Sequence, residues 1–187
     1  MRKLLLNLAI SLDGLIEGPN GEYDWCFTDQ DYGMAEFFKR IDALFIGRKS
    51  YEMMLGMEGD SGEIPGMPKL TEYVFSNSLE SVKEGAELVS GDDIAAQVRE
   101  IKSAEGKDIW LFGGADLTRS LMNAGLVDEL SMAVHPIVLG AGKPLFSGVN
   151  GRVHLELIDS KPWSSGLVTL NYRVGVKNEE GEFKRQN

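Results

Sequence analysis

The sequence has one cysteine, Cys26, in 187 residues. One thiol can neither close an internal disulfide nor build a cysteine-based zinc cluster, so the fold must rest on its core, and a reducing compartment is expected. Histidine is almost as scarce. His135 and His154 stand at a spacing unlike that of a metal pair, and both read as structural, so no metal site is expected. Positive charge is the minority sign, with 19 Lys and Arg against 29 Asp and Glu, for a formal net charge of -10. Nucleic-acid binding draws on clustered cations, so a polyanion partner is excluded as the main function; one anionic group can still be held locally. Long apolar runs are missing too. The N-terminal MRKLLLNLAISLDG joins a basic start to an apolar stretch, but it breaks at Asp13-Gly14, has no small-residue cleavage pattern and is far too short to cross a bilayer. It reads as the first strand of a cytoplasmic protein with no membrane partner.

What is present is apolar content of 43%, enough to bury one substantial core. Short runs of Val, Ile, Leu and Phe alternate with helical patterns, which predicts an α/β fold. The strands are expected at Leu4–Ile10, Ala43–Ile46, Tyr73–Phe75, Ala86–Val89, Ile109–Phe112, Leu130–Val134, Val153–Asp159 and Val168–Val176. The helices are expected at Met34–Arg40, Lys49–Leu55, Asp92–Ser103 and Asp116–Ala124. No helix separates the last two strands, which meet through KPWSSG, so an antiparallel hairpin on a mostly parallel, mixed sheet is predicted. GMEGDSGEIPGMPK, at 56–69, reads as a flexible connector. One domain is expected over 1–177, followed by a polar tail at 178–187.

Three junctions carry chemistry. In DIWLFGGADL a buried strand ending at Phe112 passes through Gly113 and Gly114 into a helix that starts with Ala115, Asp116 and Leu117. Such an order aims free backbone N–H groups and the positive helix end at one point, and glycine lets the backbone approach a pyrophosphate closely. Paired glycines also serve as a plain tight turn, and this is not the G-x-G-x-x-G fingerprint of a Rossmann fold. ALFIGRKSYEMM repeats the grammar with Gly47, Arg48, Lys49 and Ser50. Cations in a first helical turn oppose the macrodipole, a conflict that a bound anion relieves; solvated surface cations are the other reading. VFSNSL ends a third strand with the donors Ser76, Asn77 and Ser78. Together the three suggest a dinucleotide along one sheet edge.

With ISLDGLIEG and VDELSMAVHPIVLGAGKPLF added, these stretches resemble the dihydrofolate reductase-like superfamily. The closest resemblance is to the C-terminal reductase domain of the riboflavin-biosynthesis deaminase-reductase and its stand-alone bacterial relatives, and it spans about Leu4 to Val176. The resemblance implies a three-layer α/β fold with NADPH as hydride donor. It places Ala9 and Ile16 beside the nicotinamide, Gly113, Gly114, Ala115 and Leu117 along the pyrophosphate, and Arg48, Lys49, Ser76 and Ser78 around the 2′-phosphate. Relatives of this kind commonly form homodimers through sheet edges, and the same is expected here.

The substrate side is less legible. Asp13, just past the first strand, could orient a substrate or relay a proton, although Asp-Gly is also ordinary turn chemistry. Asp31 lies near where dihydrofolate reductases carry their pterin-binding acid, with Met34 as the other occupant of that place. Trp25 and Phe27 could wall a pocket for a flat ring or plug the core. Gly140, Gly142 and Lys143 could approach a ligand from HPIVLGAGKPLF or form a tight turn. Between Ser50 and Val82 the only cation is Lys69, a departure from relatives whose substrate carries a phosphorylated ribose. A zinc deaminase partner is excluded by the single cysteine. Two function classes therefore stand: an NADPH-dependent reductase of a small pterin-, pyrimidine- or carbonyl/imine-like substrate, or a non-catalytic nucleotide-binding or sensing protein. Dihydrofolate reductase proper is a third.

Overall fold

Leu4–Ser11 (β1) shows how the sheet is built. Leu4 and Leu6 are fully buried in one apolar cluster and Leu5 in another, so both faces of the strand meet core. This two-sided burial is why the strand reads as a continuous apolar run rather than an alternating one. A computed structural model describes residues 1–57 and 66–175. Chain order continues with Leu15–Glu17 (β2), Met34–Arg40 (α1), Ile41–Gly47 (β3), Arg48–Met57 (α2), Thr71–Phe75 (β4), Ala86–Val89 (β5) and Ile94–Ser103 (α3). Asp108–Gly113 (β6), Ala115–Asn123 (α4), Glu129–His135 (β7), Lys143–Pro144 (β8), Leu155–Pro162 (β9) and Val168–Val174 (β10) complete it.

The main sheet has eight strands in the order β5-β4-β3-β6-β1-β7-β10-β9. The pairs from β5 through β7 are parallel, whereas β10 runs antiparallel to both β7 and β9. Helices flank both faces. Val98 of α3 and Leu117, Leu121 and Met122 of α4 join the cluster that holds Leu4 and Leu6. Phe37 and Phe38 of α1 and Tyr51 of α2 join the cluster of Leu5, Leu44 and Trp110. Trp110 fixes α1 through ring contacts at 5.5 Å to Phe37 and 5.9 Å to Phe38. The architecture is the three-layer α/β fold expected, with its antiparallel hairpin at the C-terminal end.

Differences from the sequence expectations are local and have physical causes. α3 starts at Ile94 rather than Asp92 because Asp93 caps it, accepting the Ala96 N–H at 2.9 Å. The pair β2–β8 was not anticipated: strands of three and two residues are too short to show a period. β9 begins at Leu155 rather than Val153, and runs on to Pro162. The tail at 178–187, Val176 and the centre of the connector lie outside the described residues. Among the described residues no helix is long and apolar enough to cross a membrane.

Candidate active site

Parallel strands end on one side of a sheet, and β4, β3 and β6 are neighbours, so their three C-terminal junctions come together. Gly47 stands beside Phe75, and Ile46 beside Gly113. A Cβ built on Gly47 would lie 3.7 Å from the Leu117 Cβ, and one on Gly114 would lie 3.5 Å from Ser50 Oγ. The starts of α2 and α4 therefore touch at their glycines. Gly113 and Gly114 hold φ of 121° and 86°, a region closed to most side chains, which explains both residues in backbone terms alone.

These junctions open into a cleft of about 1830 Å³. Of the residues expected to hold a dinucleotide, Ala9, Ile16, Gly47, Arg48, Lys49 and Ser50 line it. So do Ser76, Asn77, Ser78, Phe112, Gly114, Ala115, Asp116 and Leu117, whereas Gly113 shapes the turn behind the wall. Arg48 contacts Glu52 at 3.5 Å, one helical turn on, while Lys49 is exposed with no acidic partner among the described residues. Ser76 Oγ accepts the N–H groups of Ser78 and Leu79, each at 3.1 Å, and Asn77 Oδ1 accepts the Gly91 N–H at 2.9 Å. The β4 exit is thus a preformed polar loop. Asp116 brings a negative charge to the α4 start, and Arg119 offsets it at 2.9 Å.

On the other side of the cleft the two acids hold backbone. Asp31 lines the cleft, but its oxygens accept the N–H groups of Gly33 at 2.9 Å and Ala35 at 2.8 Å, so it caps the start of α1. Met34 lines the cleft beside it. Asp13 does not reach the cleft wall. It accepts from Ser11 Oγ at 2.6 Å, Gly140 N at 2.8 Å and Leu139 N at 3.2 Å, and the Ser11 and Gly140 bonds bring its carboxyl down to about 2. Asp13 therefore joins the segment after β1 to the one after β7, and Gly140 serves that link. Gly142, at φ 147°, packs where a Cβ would run into the Glu17 carbonyl. This close approach seats Lys143 on β8 in the cleft wall, 3.6 Å from Glu17.

Phe27 lines the cleft and Trp25 stands behind it, both packed edge-on against His135 at 5.0 and 5.3 Å. His135 is 2% exposed. Its Nε2 accepts the Phe27 N–H at 3.0 Å, which leaves Nδ1 as the donor to the Ala133 carbonyl at 3.1 Å. Burial between rings pushes its pKa below the ordinary 6.5. The aromatic wall continues through Tyr32, which meets Trp163 at 5.2 Å.

Against known proteins, residues 2–169 match the family model described as the RibD C-terminal domain. The chain belongs to that family. It is 41% identical over 179 residues to the uncharacterized protein YyaP of Bacillus subtilis (strain 168), a match that covers 91% of this chain and 94% of the relative. Among solved structures it is similar to a Shewanella sp. PV-4 protein whose name assigns it provisionally to riboflavin biosynthesis. That match has a TM-score of 0.77 at 26% identity, over 93% of this chain and 99% of the other. A dihydrofolate reductase from Enterococcus faecalis, solved with NADP(H), shares the fold at a TM-score of 0.63 and 17% identity, over 92% and 96% of the two chains.

In this RibD C-terminal-type chain, sequence reasoning missed several cleft residues. Tyr32, Trp163 and His135 sit in irregular or terminal positions where no period marks an inward face. Asn7 and Ser131 did leave a signal, each a lone polar residue within an apolar run, in LLLNLAI and LSMAV; Asn171 left none, because VTLNYRV also carries Thr169, Tyr172 and Arg173.

Proposed function

We propose that the protein is an NADPH-dependent reductase that passes hydride to a small, flat, pterin-, pyrimidine- or carbonyl/imine-like substrate. The observation that carries this reading is the convergence of the β3, β4 and β6 exits, with Lys49, which has no acidic partner among the described residues, at the start of α2 beside Ser50 and Gly114. The donor set fits a dinucleotide. Gly114 and Ala115 at the start of α4 would take the pyrophosphate on free backbone N–H groups. Arg48, Lys49, Ser76 and Ser78 would hold a 2′-phosphate, which suits cations and hydroxyls better than a bare ribose does. Ala9 and Ile16 would border the nicotinamide, which supplies the hydride when bound.

The substrate would sit between that end of the cleft and the aromatic wall of Phe27, Tyr32 and Trp163, a geometry that orients a ring and excludes water. Neither Asp13 nor Asp31 has an oxygen without a hydrogen-bond donor. That observation favours solvent as the proton source, and it also supports the second reading, a nucleotide-binding or sensing protein without turnover. Dihydrofolate reductase proper is disfavoured by the same capping of Asp31. We place the protein in the cytoplasm as a homodimer; β9 is an edge strand with Leu155, Leu157 and Ile158 exposed, a surface that pairing would cover. Light scattering should give the dimer mass at micromolar concentration, and a monomer would contradict that assembly. A crystal soaked with NADPH tests the main reading: density along Gly47, Ser76 and Gly114 is expected. Density elsewhere, or none at saturation, would remove it.

A further inference from the structure

Strand register aligns side chains from β1, β7, β10 and β9 into transverse rows that reach the cleft. In the first, Leu5 stands beside Glu129, Glu129 beside Arg173, and Arg173 beside Glu156. Two residues on, Asn7 stands beside Ser131, Ser131 beside Asn171, and Asn171 beside Asp159. In the third, Ala9 stands beside Ala133, Ala133 beside Thr169, and Thr169 beside Lys161. All but Glu156 line the cleft.

The three rows differ in what their side chains already do. Charges in the first are paired within the protein: Glu129 with Lys3 at 2.7 Å and Arg40 at 2.9 Å, Arg173 with Glu156 at 3.0 Å. The third offers small side chains at Ala9 and Ala133, the place where a ring would lie, while Thr169 accepts the Trp163 indole N–H at 2.9 Å. The middle row stands apart. The side chains of Asn7, Ser131 and Asn171 have no hydrogen-bond partner, and Asp159 no cation, among the described residues. Yet β1 and β7 are central strands, where neighbours such as Leu5, Leu6 and Leu130 are buried and a continued apolar run is the default. The backbone there is fixed, since Trp110 Nε1 donates to the Asn7 carbonyl at 2.9 Å.

The geometry points to the row Asn7–Ser131–Asn171 as a binding site for the distal part of the substrate, an uncharged hydroxyl- or amide-bearing chain that runs across the strands. The inference rests on the reductase reading only for the ring that this chain would carry. Neighbouring strands lie about 4.8 Å apart, so Asn7 to Asn171 is a reach of roughly 10 Å, the length of a short polyol rather than of a single substituent. Two carboxamides and a hydroxyl offer both donors and acceptors, which suits hydroxyls and amides. Asp159 closes the row with a negative charge, so an anionic end is disfavoured there.

The test uses the whole protein labelled with nitrogen-15, with xylitol as a neutral probe and xylonate as its anionic counterpart. Xylitol at millimolar concentration should shift the side-chain amide signals of Asn7 and Asn171 saturably. Xylonate should bind several-fold more weakly, and Asn171→Leu should weaken xylitol about tenfold. NADPH titrated into the same samples reports separately on the reductase reading, so either result can fail without the other. Signals that do not move with xylitol, or xylonate binding as well as xylitol, would overturn the site. So would a self-association that Asn171→Leu abolishes, which would mark the row as a contact between copies.

Discussion

The segment at 18–33 carries one wall of the cleft, and its attachment should depend on the protonation of His135. Its backbone–backbone bonds are local, such as Gly18 N–H to the Glu22 carbonyl and Cys26 N–H to the Tyr23 carbonyl. Apart from the bonds by which Asp31 and Gly33 lead directly into α1, two hydrogen bonds among the described residues tie it to the rest of the fold: Phe27 N–H to His135 Nε2, and Tyr32 Oη to Ser165 Oγ. Protonation turns Nε2 into a donor facing another donor. Packed against the imidazole are the Trp25 and Phe27 rings and the Ala133 carbonyl, with the Ile10 backbone beside it, and no charged side chain contributes to its shift. Burial lowers the pKa of this base, so the docked segment is fully favoured above the ordinary value of 6.5 and loses that favour as the pH falls through it towards the lowered value. Losing one partly buried hydrogen bond costs about 1–3 kcal/mol, which raises the open population about 5- to 150-fold. Hydrogen exchange at the Phe27 amide, referenced to the Leu111 amide in β6, reads this directly. Protection should fall between neutral and mildly acidic pH, and His135→Phe should abolish it at every pH. Protection that is independent of pH in the natural sequence, or intact in His135→Phe, would refute the reasoning.

Other changes separate site from scaffold. Gly113→Ala or Gly114→Ala should lower the thermal midpoint of the ligand-free protein, because both residues have positive φ and such strain costs about 1–3 kcal/mol; an unchanged midpoint would contradict the turn geometry. Gly47→Ala meets only ordinary contact with Leu117, so it should leave stability within about 1 kcal/mol while weakening NADPH measurably by calorimetry. Asp31→Ala should cost about 0.5–2 kcal/mol of stability as a lost helix cap. Full stability with abolished turnover would instead make Asp31 the catalytic acid.

Periodicity made the fold readable. α1 and β5 fall where the apolar spacing puts them, and the antiparallel hairpin follows from the missing helix before Val168. The β3 and β6 exits were readable as junctions because an apolar run, a glycine and a helical pattern follow one another in both, although the φ values of Gly113 and Gly114 account for those two glycines without a ligand. What stayed hidden was long-range. Nothing local in EYDWCFTDQDYG shows that Phe27 hangs from His135, residues 108 apart in sequence. Asp13 and Asp31 look like free acids in sequence, because the backbone N–H groups that occupy them come from Gly140 in one case and from the turn into α1 in the other. The polar row was visible only as two odd residues, Asn7 and Ser131, until register placed Asn171 beside Ser131.

The central claim is that Lys49 and its neighbours hold a 2′-phosphate, and a paired calorimetric titration of NADPH and NADH tests it most directly. Lys49 is exposed and without an acidic partner among the described residues, so Lys49→Ala should fold normally. Charge-assisted contacts to one phosphate are worth about 1.5–3 kcal/mol, and exposure of Arg48 and Lys49 favours the lower end. The protein should therefore bind NADPH at least about tenfold more tightly than NADH. Lys49→Ala combined with Arg48→Ala should erase that difference and leave NADH affinity nearly unchanged. Equal affinities for the two dinucleotides in the natural sequence, or a preference that survives the double change, would contradict the account.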